Sequence, residues 1–274
     1  VEQIGIIGVG EIARAIVEGL SDGVAEPPRI HLSPRGAATA AEPARRYPNA
    51  QVRADNQDVA DRSDVLILAV RPQDAAAALP GLRIGDGSVV VSAIAGIGID
   101  ELRGMPGTDA PLVRTIPMPA VRERRSVTVA HPSHPVVDAL FDRLGGTLPV
   151  ADEAAFSVFS TLTGTLSTHY RYLATLTDWA SRQGVPAEEA DRYVRGPSPG
   201  NRARRRARAG RRDPLPPAAA GDHETAGGSS ERIRTTWFDA ANAEALTRAL
   251  DGFLARLRQV RQRRPPVLSG TGRG

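Results

Sequence analysis

Residues 3–13 read Gln3-Ile4-Gly5-Ile6-Ile7-Gly8-Val9-Gly10-Glu11-Ile12-Ala13, and this stretch decides the fold. From Gln3 to Val9 the run is short and mostly apolar, as suits a strand buried in a parallel sheet. It leads into Gly-x-Gly-x-x-Ala at Gly8, Gly10 and Ala13, and then into a helical pattern with Ile12, Ile16, Val17 and Leu20 on one face. Strand, glycine turn and helix in that order form a dinucleotide-binding arrangement. Gly8 allows the tight turn, Gly10 lets a pyrophosphate approach the backbone, and Ala13 keeps the helix close to the sheet. The first turn, at Glu11 and Ile12, faces the phosphates with its peptide N–H groups.

Working outward, the alternation continues. Strand patterns at Arg29–Leu32, Asp64–Val70, Ser88–Ile94 and Leu112–Thr115 are separated by helical patterns at Ala37–Tyr47, Gln73–Leu79 and Ile99–Leu102. Val127–Ala130 and Thr147–Val150 read as two further strands flanking a helix at Val136–Leu144. Strands alternating with helices predict an α/β fold with a doubly wound parallel sheet of Rossmann type over residues 1–151. After the second strand an NAD-binding chain places an acid for the ribose 2′-hydroxyl, about 20 residues past the glycines. Here Ser33-Pro34-Arg35 stands instead. A hydroxyl and a guanidinium suit a 2′-phosphate, which favours NADP(H) over NAD(H); a polar turn with a solvated Arg is the plainer reading of the same residues.

From Asp152 the period turns helical, with Phe156, Phe159, Leu162, Leu166, Tyr170, Leu173, Leu176 and Ala180 in register and Gly184 as the first stop. One helix of that length, about 45 Å, is too long to hide within a small domain. Its apolar stripe is expected to pack against a partner subunit, making a homodimer or higher homo-oligomer. An all-α domain is therefore expected over 152–264, with a tail over 265–274.

Composition narrows the chemistry. The 274 residues include 35 basic side chains, all Arg, with no Lys and no Cys, and the net charge is +4. Disulfides, thiol nucleophiles, Cys-ligated metals, Schiff-base lysines and a P-loop are excluded. With five His and no His-Glu-x-x-His pair, no metal site is expected. Positive charge concentrates at 195–217, where eight Arg face Asp213 alone; that tract carries +7 and leaves the remainder at −3. Pro197, Pro199, Pro214, Pro216 and Pro217 forbid a helix there, and Leu215 is its one aliphatic residue larger than Ala. Three origins stand open for it: a frameshifted or decayed stretch, a natural insertion, or a nucleic-acid arm. No aromatic residue is interleaved with the Arg, so nucleic acid is not an expected partner. No run of about 18 apolar residues could cross a membrane, and the first residues lack a signal-peptide pattern, so a cytoplasmic location is expected.

Taken together, the motifs resemble the pyrroline-5-carboxylate reductase family. The opening Ile6-to-Ile16 segment is similar to that family's nucleotide fingerprint. Asp55-Asn56, followed by Ser63-to-Gln73 with Ala69-Val70-Arg71-Pro72, resembles its second signature, with Arg71 in place of the usual Lys. Val91-Ser92-Ala93-Ile94-Ala95-Gly96 resembles a family strand end, and Val185-Pro186-Ala187-Glu188-Glu189-Ala190 a family helix start. The resemblance implies a cofactor site at Gly8, Gly10, Glu11, Ile12, Ala13, Ser33, Arg35, Asn56, Ala69, Val70, Arg71, Pro72 and Ala95. It implies a substrate-carboxylate loop at Asp222–Glu231, with Thr225, Gly228, Ser229 and Ser230 as ligands and Ser230 beside the imine nitrogen. It further implies NADPH-dependent reduction of 1-pyrroline-5-carboxylate to L-proline, a helical second domain forming a dimer, and a place in proline biosynthesis. Alternatives are another small imine, an NADP-linked deazaflavin-type oxidoreductase, or a pseudoenzyme that binds NADP without turnover. Two departures stand out: Met118 occupies the place of a family Asn-Thr, and no Gly-Ser-Gly-Pro motif lies near Thr163-Gly164-Thr165.

Overall fold

The computed structural model of the chain describes residues 2–34, 37–195 and 235–263. The chain divides into two compact units, one of residues up to Ser160 together with Arg256 onward, the other Thr161–Ala255.

The first unit is built on an eight-stranded sheet: β1 (Gln3–Ile7), β2 (Arg29–Leu32), β3 (Ala50–Val52), β4 (Val65–Leu68), β5 (Val89–Ser92), β6 (Leu112–Ile116), β7 (Thr128–His131) and β8 (Thr147–Pro149). Their spatial order is β3-β2-β1-β4-β5-β6-β7-β8. All neighbouring pairs are parallel except β6 with β7. The order reverses between β1 and β4, which makes the crevice beyond their carboxyl ends the topological switch point where ligands bind. The doubly wound α/β sheet expected from the alternation is present.

Each face of the sheet has its own core. Ile4, Ile6, Ile30, Leu32, Val65, Ile67 and Val91 point to one side, against α1 (Glu11–Ser21), α2 (Ala37–Arg46) and α6 (Pro135–Asp142). Ile7, Leu66, Leu68, Val90 and Leu112 point to the other, against α3 (Asn56–Asp61), α4 (Pro72–Ala78) and α5 (Ile99–Gly104). This two-sided burial is why β4 and β5 read as unbroken apolar runs; each fully buried aliphatic side chain contributes about 1.5–3 kcal/mol. A short 3-10 turn, Pro119–Glu123, follows β6.

Three local differences from the sequence reading have physical causes. The first strand stops at Ile7 rather than Val9, because Gly8 leaves extended geometry at φ +94°. β3 and α3 form where no element was expected. β3 has three residues, too few for a periodic signal, and α3 depends on Asp55, whose carboxylate caps it by accepting from the Asp58 N–H at 2.8 Å. The single long helix is a correction: it is two helices, α7 (Glu153–Thr163) and α8 (Leu166–Arg182). At the break, the Gly164 N–H donates to Thr161 O at 3.1 Å and the Thr165 N–H to Leu162 O at 3.1 Å, the tighter spacing that closes a helix. The apolar periodicity runs straight through this point and hid it.

The second unit contains α8, α9 (Ala187–Arg195) and most of α10 (Ala240–Arg263). A Cβ on Gly164 would lie 3.5 Å from the Phe253 ring, in ordinary contact with α10. Tyr172 and Trp237 stack with ring centroids 5.0 Å apart. Among the described residues, no helix is long and apolar enough to cross a membrane, and no cluster of His, Cys, Asp or Glu could hold a metal.

Candidate active site

The site is assembled at the carboxyl ends of β1, β4, β5 and β6. Leaving β1, Gly8 turns with φ +94°, and a Cβ there would stand 2.6 Å from the Val70 nitrogen and 2.7 Å from the Ala69 carbonyl carbon. Only glycine allows the end of β1 to pass so close to the backbone following β4. Gly10 is the opposite case. It caps α1 in extended geometry with no side-chain hydrogen bond, and a Cβ there would meet nothing within 4 Å. That clear approach at the N-terminus of an eleven-residue helix fits a pyrophosphate group. Glu11 opens the helix, its carboxylate paired with Arg122 of the 3-10 turn, and Ala13 is fully buried against the sheet. Ile12 is partly buried against the same core.

Ser33 lies beside this turn and is wholly buried; its hydroxyl oxygen accepts the Gly8 N–H at 3.0 Å. The residue read as a 2′-phosphate ligand thus braces the glycine turn from the neighbouring strand. Arg35 lies outside the described residues, as do Thr225, Gly228, Ser229 and Ser230 and the tract beyond Arg195.

Ala69 and Val70 are half-buried at the exit of β4, while Arg71 and Pro72 are exposed at the start of α4. Arg71 donates to Asp74 at 2.7 Å, and that carboxylate raises the already high guanidinium pKa, so the group stays charged. Ala95 is exposed beyond β5, and Met118 is half-buried beyond β6. Asn56 stands at the start of α3. Its amide donates to Ala78 O at 3.1 Å and lines a cavity of about 400 Å³ with Pro34, Asp55, Gln57 and Gly81. Gln57 and the Pro80-Gly81 turn were missed in the sequence; a Pro-Gly punctuation after a helix was their signal.

The central strand ends are lined by Ala69, Val70, Ala93, Ala95 and Met118, with no histidine among them. Such an edge suits binding and alignment of a planar cofactor; it is poorly equipped for proton transfer. Fold and glycine turn together define a dinucleotide-binding oxidoreductase of Rossmann type. Residues 3–96 match the family model described as NADP oxidoreductase coenzyme F420-dependent. The chain is 24% identical over 204 residues to pyrroline-5-carboxylate reductase 2 of Bacillus subtilis, covering 70% of this chain and 73% of the relative. It is 29% identical over 200 residues to the pyrroline-5-carboxylate reductase of Arabidopsis thaliana, covering 69% and 71%. Plasmodium falciparum pyrroline carboxylate reductase, solved with NADP bound, superposes with a TM-score of 0.74 at 14% identity, covering 94% of this chain and 97% of that one. At this low identity the chain is similar in sequence to pyrroline-5-carboxylate reductases over about 70% of its length.

Proposed function

We propose that the chain reduces 1-pyrroline-5-carboxylate to L-proline with NADPH, as a step of proline biosynthesis in the cytoplasm. The observation that carries this reading is the extent of the likeness: it spans 73% of the Bacillus reductase, well beyond the nucleotide-binding residues that many oxidoreductases share. The opening at Gly10 beside the close approach at Gly8 fits a dinucleotide pyrophosphate. When bound, NADPH supplies the hydride for the C=N carbon, and a proton on nitrogen completes the amine. The chain's own part is to bind and align. The Gly8–Gly10 turn and the first turn of α1 hold the pyrophosphate, with Ser33 keeping the turn in shape. Asp55, Asn56 and the adjoining cavity receive the adenosine half, and Arg35 is assigned to the 2′-phosphate on its motif alone. Ala69, Val70, Arg71, Pro72 and Ala95 border the path to the nicotinamide, and the apolar residues there exclude water. A protonated imine is already electrophilic, so alignment in a dry pocket accounts for most of the rate, in keeping with strand ends that lack a histidine.

Thr225, Gly228, Ser229 and Ser230 are assigned to the substrate carboxylate and imine nitrogen on their motif alone. Residues 152–264 are assigned as the dimerisation and substrate domain. The described helices of the second unit support this, exposing Tyr170, Leu176, Trp179, Tyr193 and Trp237. A surface so rich in aromatic residues is typical of an interface.

The deciding experiment follows NADPH absorbance with 1-pyrroline-5-carboxylate added. Turnover that yields proline is the expected result. NADPH binding without turnover would identify a pseudoenzyme; turnover only with another cyclic imine, or only with a reduced deazaflavin, would replace the substrate.

A further inference from the structure

Arg114 is 6% exposed in the middle of β6, and its guanidinium is hydrogen-bonded to Glu153 in the first turn of α7. Both belong to the first unit. The guanidinium carbon also lies 4.2 Å from the centroid of the Phe156 ring, one turn further along α7, and Phe156 is itself buried. Asp152 fixes the start of that helix by accepting the Ala155 N–H at 2.8 Å. A buried ion pair stabilises a fold little better than apolar residues of the same size, but its bond fixes where its two ends sit.

What the pair holds in place is the strand end. Two residues past Arg114 the chain reads Ile116-Pro117-Met118-Pro119. Each proline fixes its own φ and restricts the residue before it to extended geometry. Met118 is extended at φ −105° and ψ 156°, and the Met118 carbonyl then accepts from Val121 N–H at 3.0 Å to close the 3-10 turn. The segment is a stiff arm of about 13 Å from Arg114 to Met118. An arm that cannot bend transmits any shift at its base to its tip. Thr115 pins the other side of the strand, its hydroxyl donating to Ser92 O at 3.2 Å.

We propose that Arg114 and Glu153 are positioning residues: their bond, roofed by Phe156, sets where β6 delivers Met118 to the carboxyl edge of the sheet, and so sets the alignment of the reacting ring and imine. This rests on the reductase reading above. Charge alone is not enough for the task, because only the planar guanidinium both stacks on Phe156 and bonds the carboxylate.

The test uses Arg114→Lys, Glu153→Gln and the exchanged pair Arg114→Glu/Glu153→Arg in the full chain. The expected result for each single variant is a fall in kcat of about 100-fold, the scale of an ångström of misalignment, while NADPH affinity is kept. Amide hydrogen exchange at Ile116, Met118, Ala120 and Val121 is expected to quicken while that of β1 and β4 stays unchanged, and the exchanged pair is expected to recover part of kcat. Single variants that lose melting temperature but keep kcat would show a purely structural pair and overturn the proposal. If the wild-type chain proves inactive on the imine, the substrate reading fails by itself. Exchange at 116–121 then decides: quickened in the single variants it upholds the positioning of Met118 by the pair, unchanged it overturns it.

Discussion

Two glycines two residues apart have different duties, and substitution separates them. Gly8→Ala places a side chain at φ +94° and drives it into the backbone at Ala69 and Val70. We expect a loss of about 2–3 kcal/mol of stability, read by urea unfolding, together with loss of NADPH binding. Gly10→Ala meets no atom of the protein, so its melting temperature is expected to stay within a degree or so of wild type. Its NADPH dissociation constant should nevertheless rise about tenfold or more, because the methyl group occupies the path of the pyrophosphate. Wild-type affinity in the Gly10 variant would remove the pyrophosphate from α1. Ser33→Ala takes the acceptor from the half-buried Gly8 N–H, a cost of about 0.5–1.5 kcal/mol in denaturant unfolding.

At the scale of the element, β2 carries a buried histidine whose ionisation can be worked out from its partners. Arg53 donates to His31 Nδ1 from both Nε, at 3.0 Å, and Nη2, at 2.8 Å. Arginine can only donate, so Nδ1 is unprotonated and the Nε2–H donates to Gln3 Oε1 at 2.9 Å. Burial, followed by the positive charges of Arg53 and Arg62, lowers the His31 pKa below its ordinary 6.5, with Asp58 opposing and Arg29 adding a smaller push downward. The unfolded chain then binds more protons than the folded one below about pH 6.5. Stability from this group is whole above that pH and declines as pH falls through the folded value. The melting temperature of the wild type is expected to fall more steeply between about pH 6.5 and 5 than that of His31→Gln. Parallel curves would show that folding leaves the His31 pKa where it was. The cut between α7 and α8 belongs to this scale too. Gly164 interrupts a stripe that, by apolar spacing alone, continues to Ala180.

For the molecule as a whole, the two units pose different problems. The first buries both faces of its sheet and needs no partner for its core. Trp179 at 58% and Tyr193 at 88% exposure in the second are unusual for a single chain. Light scattering on the purified protein is expected to give at least twice the 29.0 kDa of the chain. Replacing both Trp179 and Tyr193 with Asp is expected to shift it towards monomer without altering NADPH binding. A wild-type monomer would refute the assignment of the helical residues to an interface.

The order of strands and helices, the glycine turn and the cofactor class were legible in the sequence, since each rests on local rules: period two or three-and-a-half, a glycine where a turn must be tight, a proline where a helix starts. β3, α3 and the cavity beside Asn56 were not, because three to six residues carry too little periodicity and their stability comes from neighbours far along the chain. Ser33 shows the limit most clearly. Its position past β2 suggested a phosphate ligand; only the fold shows that its hydroxyl also accepts the Gly8 N–H and braces the turn. Arg114 was passed over within a strand pattern; only the fold, by laying α7 against β6, brings a carboxylate and an aromatic ring to a buried charge. Local sequence determined which elements form and where a dinucleotide can lie. Which polar groups face one another, and hence which serve the ligand and which serve the frame, was decided by tertiary structure, because those contacts join residues dozens of positions apart.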